Sequence, residues 1–283
     1  MDTVQHKVAV ITGAASGIGR AMALAFGAAG MKVVMADIEK DALAEAVAAV
    51  EAGGTEAMGV PTDVSDPGQV EALRDATLAT FGAVHVVCNN AGVAAGGKVW
   101  EQTIADWEWV LGVNLWGVIH GLRTFTPLLV EQGEGHIVNT ASMAGLTSPP
   151  MMASYNVTKH AVVTLSETLF AELSMESSPV GVSVLCPGWV NTRINEADRN
   201  RPGGATDGAE STEETEGVAM RQLLGSFLAS GLDPAVVAGQ VLEAVLAKRF
   251  YILTHPEWKP MISGRVDRII AGHDPTLAML PPG

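Results

Sequence analysis

The stretch "KVAVITGAASGIGRAMALAF", Lys7–Phe26, decides the fold. "KVAVIT" (Lys7–Thr12) is an apolar, β-branched run of strand length. The glycines Gly13-x-x-x-Gly17-x-Gly19 follow at once, and the chain then continues as a helix. Glycine lets the backbone turn sharply off a strand tip and approach a ligand closely. The helix that follows presents free N–H groups and the positive end of its dipole. Together these are what a dinucleotide pyrophosphate requires. The spacing differs from the commoner G-x-G-x-x-G, and an ordinary tight βα turn is the alternative reading.

Beyond Phe26 the alternation of strand and helix continues. "KVVMA" (Lys32–Ala36), "VHVVC" (Val84–Cys88), "GHIVNT" (Gly135–Thr140) and "GVSVLC" (Gly181–Cys186) read as buried strands, and "AMGV" (Ala57–Val60) as a weaker one. Leu43, Ala46, Val47 and Val50 step with helical period after Asp41, as do Val70, Leu73, Thr77 and Phe81 after "SDPG". Nearly continuous apolar strands between amphipathic helices predict a mainly parallel sheet covered on both faces. The sheet has seven strands if "FYIL" (Phe250–Leu253) joins it. With no repeat and no linker, residues 1–283 read as one domain. Helices are expected near 218–229 and 234–248, and a C-terminal tail from about 255. The Gly- and acid-rich run Asn195–Val218 is too polar to pack and reads as a mobile loop.

Bulk properties exclude several function classes. A net charge of −14 argues against nucleic acid and anionic membrane as partners, since both need a basic surface. There is no apolar run long enough to cross a bilayer. Cys88 and Cys186 fall in strand-like runs and read as reduced core residues. The N-terminus has no signal-peptide pattern, so the expected compartment is the cytosol.

Two further features carry chemistry. Asp37 ends the second strand 18 residues after Gly19, where a carboxylate can accept hydrogen bonds from adenosine ribose hydroxyls. It would repel a 2′-phosphate. Residue 38 is isoleucine and residue 16 is serine, so no cation favours one, and NAD is preferred over NADP. Asp37 as the N-cap of the next helix is compatible with this. In "YNVTK", Tyr155 and Lys159 lie one helical turn apart, so phenol and ammonium can share a face.

In order along the chain stand "TGAASGIG" (12–19), "DV" (63–64), "NNAG" (89–92), Asn114 in "VNLWG", Ser142 in "NTASMAG", "YNVTK" (155–159) and "PGWVNT" (187–192). On these motifs, from Lys7 to Arg193, the chain resembles the short-chain dehydrogenase/reductase family of single-domain type. The resemblance implies a doubly wound Rossmann α/β fold and reversible hydride transfer between NAD and a secondary alcohol or ketone. It implies that Tyr155 is the general acid–base, that Lys159 lowers its pKa and holds the nicotinamide ribose, and that Ser142 holds the substrate oxygen. Asn114 would fix a helix kink and join a water-mediated proton path to Lys159. Cofactor contacts would come from Gly13, Ser16, Gly17, Ile18, Gly19 and Asp37. Asp63 and Val64 would bracket the adenine, and Asn90, Ala91 and Gly92 would face the ribose. Pro187 and Gly188 would turn the chain, with Val190 and Thr192 meeting the carboxamide.

Ser142, Met143, Ala144 and Trp189 are the expected substrate pocket, with Val93, Ala94 and Pro149 as further candidates. Their apolar character points to a hydrophobic or cyclic substrate. The histidines form no ligand pattern, so no metal is indicated. The loop 193–218 is expected to act as a substrate lid. Family members usually form homotetramers or homodimers through the helices that carry Asn114 and Tyr155. An NADP(H)-preferring carbonyl reductase and a non-catalytic dinucleotide sensor are the rival readings; the sensor has little use for Asn114, Ser142, Tyr155 and Lys159 together.

Overall fold

A computed structural model describes residue 1, residues 3–203 and residues 225–276. Among the described residues seven strands are formed, namely β1 (Val8–Thr12), β2 (Lys32–Asp37), β3 (Ala57–Pro61), β4 (Val86–Asn89), β5 (His136–Thr140), β6 (Gly181–Cys186) and β7 (Tyr251–Leu253). They pair in parallel throughout, in the order β3-β2-β1-β4-β5-β6-β7. Every stretch expected to be a strand is one, "FYIL" included.

The pleat sorts side chains between two cores. Ala9 and Ile11 of β1 pack with α1 (Gly17–Ala28), α2 (Lys40–Glu51) and α7 (Pro234–Ala247). Val8 and Val10 pack with α3 (Pro67–Phe81), α5 (Gly117–Gln132) and α6 (Ala153–Met175). This alternation with period two is what continuously apolar strands need in a sheet buried on both faces. α3 starts as "SDPG" predicts: the Asp66 side chain accepts from the Gly68 N–H at 2.8 Å, and Pro67 takes the first helical position. The chain winds outward in both directions from β1, to β2 on one side and β4 on the other. The crevice so formed lies at the carboxyl ends of the strands, and it holds the site.

Three features differ from the sequence reading or complete it. α4 (Ile104–Leu111) runs into α5 through one π-helical turn, Gly112–Trp116, which supplies the kink expected around Asn114. Of the tail expected from about 255, residues 256–271 are folded, and residues 277–283 lie outside the described residues. Pro256–Trp258 makes a 3₁₀ turn, α8 (Lys259–Ala271) follows, and Trp258 is buried. An apolar indole inside an otherwise polar segment is what draws that turn onto the domain. Of the expected lid, Ile194–Asn200 folds as 3₁₀ turns, while residues 204–218 lie outside the described residues. Of the helix expected near 218–229, residues 225–229 are helical and 218–224 lie outside the described residues.

A buried polar chain ties sheet to helix. Asn89 Nδ2 donates to Asn139 Oδ1 at 2.9 Å, Asn139 Nδ2 to Ser166 Oγ at 3.0 Å, and Ser166 Oγ to the Val162 carbonyl at 2.7 Å. α5 crosses this chain so closely that a Cβ on Gly121 would fall 2.0 Å from Asn89 Oδ1. Gly121→Ala is therefore expected to lower stability by about 1–3 kcal/mol, the usual size of an overpacking defect. Gly239→Ala on α7 serves as the control, because a Cβ there meets nothing within 4 Å. Urea denaturation should find the control unchanged or slightly more stable.

Candidate active site

A cleft of about 630 Å³ runs over the carboxyl ends of the strands. At its base is the turn between β1 and α1. Gly13 has φ +65° and Gly17 φ +52°, both in the left-handed region that favours glycine, and both line the cleft. A Cβ on Gly13 would lie 2.8 Å from Ala91 Cα. Gly19 plays a different part. It does not line the cleft, and a Cβ there would strike the Gly13 carbonyl oxygen at 2.1 Å, so it packs the helix onto its own turn. Ser16 is the N-cap of α1 without a side-chain cap bond, and Ser16, Gly17 and Ile18 line the cleft. An uncapped helix N-terminus beside glycines that leave the backbone open can hold a pyrophosphate.

Thr12, at the tip of β1, pegs the neighbouring turn. Its Oγ1 accepts from the N–H groups of Asn90 and Ala91 at 2.9 and 3.0 Å. Asn90 reaches both sides: its Nδ2 donates to the Thr12 carbonyl, and its Oδ1 accepts from Thr140 Oγ1. Asn90 thus fixes three strand tips while it lines the cleft with Ala91 and Gly92.

At the adenosine end Asp37 accepts from the Ala15 N–H at 2.9 Å and the Glu39 N–H at 3.0 Å. Burial raises the pKa of its carboxyl despite these donors. The N-cap of α2 is Glu39, not Asp37. The carboxylate of Asp37 is thus free of that duty and lines the cleft, where it can meet ribose hydroxyls. Ile38 beside it is exposed. Asp63, which accepts from the N–H and hydroxyl of Ser65, lines the same end with Val64.

The segment after β6 spans the cleft mouth. Arg199 Nε and Asn200 Nδ2 each donate to Glu39 Oε1 at 2.9 Å. Burial pushes Glu39 up, but Asn200 and Arg199 outweigh it and hold the carboxyl below its ordinary pKa. Arg201 pairs with Asp106 of α4 and stacks over Trp109, 4.7 Å from the ring centroid.

The reacting end joins α6 to the tip of β5. Tyr155 and Lys159 both line the cleft, one turn apart on α6. Lys159 Nζ donates to the Thr140 carbonyl at 2.9 Å and lies 5.5 Å from the Tyr155 ring centroid. Ser142, on extended backbone after β5, accepts from the Ala144 N–H at 3.1 Å, donates to the Pro187 carbonyl and lies near enough to the Tyr155 phenol to lower its pKa. Asn114 does not reach the cleft surface. From the π-helical turn its Oδ1 accepts from the Val93 N–H at 2.8 Å, and its Nδ2 donates to the Val93 carbonyl and to Thr158 Oγ1. It holds the segment after Gly92 against α6.

Burial raises the pKa of the Tyr155 phenol, with the Ser142 hydroxyl opposing it. Burial also lowers Lys159 to about 8.

Pro187, Gly188, Val190 and Thr192 line the cleft as expected, with Met143, Ala144, Val93, Ala94 and Trp189. Pro149 does not; its carbonyl accepts from Asn156. Trp109, Met152, Leu228 and Trp258 line the cleft without having been anticipated. Trp109 lies within α4 and Leu228 in the helical residues 225–229, while Met152 caps α6 and Trp258 ends a 3₁₀ turn; no motif marks any of the four. Among the described residues no group of three His, Cys, Asp or Glu is placed to hold a metal, and no helix is long and apolar enough to cross a membrane.

Comparison with known proteins agrees with this geometry. Residues 7–203 match the short chain dehydrogenase family. A crystal structure of a short chain dehydrogenase/reductase from Burkholderia phymatum in complex with NAD is 47% identical, covers 99% of each chain and superposes with a TM-score of 0.94. The CLA biosynthesis dehydrogenase/reductase of Lactiplantibacillus plantarum is 32% identical over 99% of each chain. The 1-deoxy-11-beta-hydroxypentalenate dehydrogenase of Streptomyces avermitilis is 40% identical over 75% of this chain and 80% of its own.

Burial of Lys159 has a thermodynamic consequence. Its folded pKa of about 8 lies below the ordinary 10.5, so its charge penalises folding at low pH. Between those two values the unfolded chain binds more protons, and stability rises with pH. Lys159→Met removes this contribution. Denaturation of parent and variant at a series of pH values between about 8 and 10 should find the difference moving in favour of the parent as pH rises; a constant difference would contradict the assignment.

Proposed function

The chain belongs to the short chain dehydrogenase family, and from that premise we propose that it is an NAD(H)-dependent oxidoreductase interconverting a secondary alcohol and a ketone. The observation that carries this reading is the convergence of Ser142, Tyr155 and Lys159 on one end of the dinucleotide-sized cleft. Bound NAD supplies the hydride acceptor, and with it a positive charge beside the phenol.

In oxidation, Ser142 donates to the substrate oxygen and positions it against Tyr155. The Tyr155 phenolate takes the hydroxyl proton as the carbinol C–H bond breaks, its electron pair leaving as hydride, and the carbon–oxygen double bond forms. In reduction, Tyr155 returns the proton to the carbonyl oxygen. Lys159 favours the phenolate electrostatically and, through its hydrogen bond to Thr140, stays at the tip of β5, where it can also grip the nicotinamide ribose. Asn114 acts at one remove by holding Val93, and a water between it and Lys159 would extend the proton path.

NAD is favoured over NADP because Asp37 lines the adenosine end, Ile38 brings no charge, and Arg199 is engaged by Glu39. The segment 193–218 acts as the substrate lid, a reading supported by its ties to Glu39 and Asp106. Homodimers or homotetramers form through α5 and α6; exposed Trp116, Val157 and Phe170 support this. Two buried thiols, Cys88 and Cys186, suit the cytosol.

Tyr155→Phe tests the mechanism. Turnover is expected to fall by about two to four orders of magnitude, the usual worth of a general acid–base, with NADH affinity unchanged. A variant as fast as the parent would overturn the mechanism. Asp37 is tested separately: Asp37→Ala should lose efficiency with NAD and narrow the gap to NADP, measured as the ratio of kcat/KM values.

A further inference from the structure

Three aromatic side chains, two of them from the C-terminal quarter of the chain, meet behind the reacting end of the cleft. Trp258, buried at 3% exposure, stands edge-on to Trp189 with ring centroids 6.4 Å apart. Trp189 lies against Phe227 at 5.4 Å. Trp189 and Trp258 line the cleft, as do Leu228, Met143 and Met152. Among the described residues, the cations that line it are all engaged: Lys159 with the Thr140 carbonyl, and Arg193, Arg199 and Arg201 with carboxylates.

The segment that carries Trp258 is also fastened to the cofactor turn. Thr254 Oγ1 accepts from the Gly188 N–H at 3.1 Å and shares a 2.7 Å hydrogen bond with His255 Nδ1. The His255 ring fits so tightly under Gly188 that a Cβ there would fall 2.6 Å from Nδ1, and it stacks 4.8 Å from Trp258. Trp258, on the turn before α8, is therefore held in fixed relation to the place where the nicotinamide would lie.

We propose that Trp258 is a specificity-determining residue, closing with Trp189 an apolar wall that selects neutral alcohols and ketones bearing a bulky ring system. Such a wall gains free energy from every carbon it shields from water and offers nothing to a carboxylate. This rests on the alcohol-oxidising reading above, and the test separates the two.

Parent, Trp258→Ala and Trp258→Phe are assayed with NAD and three alcohols: decahydro-2-naphthol, 2-butanol and 3-hydroxybutyrate. Binding of 2-decalone to the NAD-loaded proteins, a pair that cannot react, is measured in parallel by calorimetry, with NAD affinity as the check on folding. In the parent, kcat/KM for decahydro-2-naphthol should exceed that for 2-butanol by about a hundredfold, with 3-hydroxybutyrate poorest; burial of several extra methylenes supports that size. Trp258→Ala should cut this ratio and weaken 2-decalone by about tenfold, as expected for one lost aromatic wall, and Trp258→Phe should restore most of both. If no alcohol is oxidised while 2-decalone binding follows this pattern, the wall stands and the reaction reading falls. If Trp258→Ala binds 2-decalone as the parent does, or the parent prefers 2-butanol or 3-hydroxybutyrate, the proposal is overturned.

Discussion

A buried ammonium with no carboxylate beside it among the described residues is the constraint around which the rest of the site is arranged. Lys159 sits at 3% exposure, with the Thr140 carbonyl as hydrogen-bond acceptor, and burial alone draws its pKa down to about 8. A carboxylate partner would satisfy it, but would also neutralise the field that it exerts on Tyr155. The fold instead holds it with a strand-end carbonyl. β5 must therefore end where it does, and α6 must approach closely: a Cβ on Gly145 would meet the Lys159 carbonyl oxygen at 2.5 Å. The chain tolerates a destabilising charge here, as sites that do proton chemistry commonly do.

The same geometry orders the cofactor end. Thr12 and Asn90 lock the tips of β1, β4 and β5 together, so that the glycine turn, the Asn90–Gly92 turn and the tip of β5 keep fixed spacing. The segment after β6 then crosses the mouth and is held by Glu39 on one side and Asp106 on the other. Glu39 stands two residues beyond Asp37, so the residue suited to the adenosine ribose and the residue that tethers the strap share one short turn.

Much of this was legible in the sequence because it rests on period and spacing. Buried strands flanked by turn residues placed the sheet, "SDPG" placed the start of α3, and the Tyr155–Lys159 pair followed from one helical turn. What was not legible depended on long-range packing. Gly19 looks like a cofactor glycine, but its crowding against Gly13 makes it a packing residue. Asn114 shares the motif set yet faces Val93, because the π-helical turn rotates it away from the cleft. Pro149 lies close to Ser142 in sequence, but the chain turns it from the cleft. Trp258 stands in a segment rich in proline and charge, and only its burial against Trp189 reveals its place. The rise in the Tyr155 pKa follows from burial, which no motif encodes.

The central claim is that Lys159 and the positively charged nicotinamide ring of a bound dinucleotide together make the Tyr155 phenol acidic enough to exchange its proton. The chain has two tyrosines, and Tyr251, bonded to Glu167, is pushed up to about 12. Phenolate absorbance developing at lower pH therefore reports Tyr155 alone. In an ultraviolet difference titration of the NAD-saturated protein, the account predicts that the first phenolate appears below the ordinary phenol value of about 10, and that Lys159→Met abolishes this early step. A first phenolate only above that value, in the parent saturated with NAD, would contradict it.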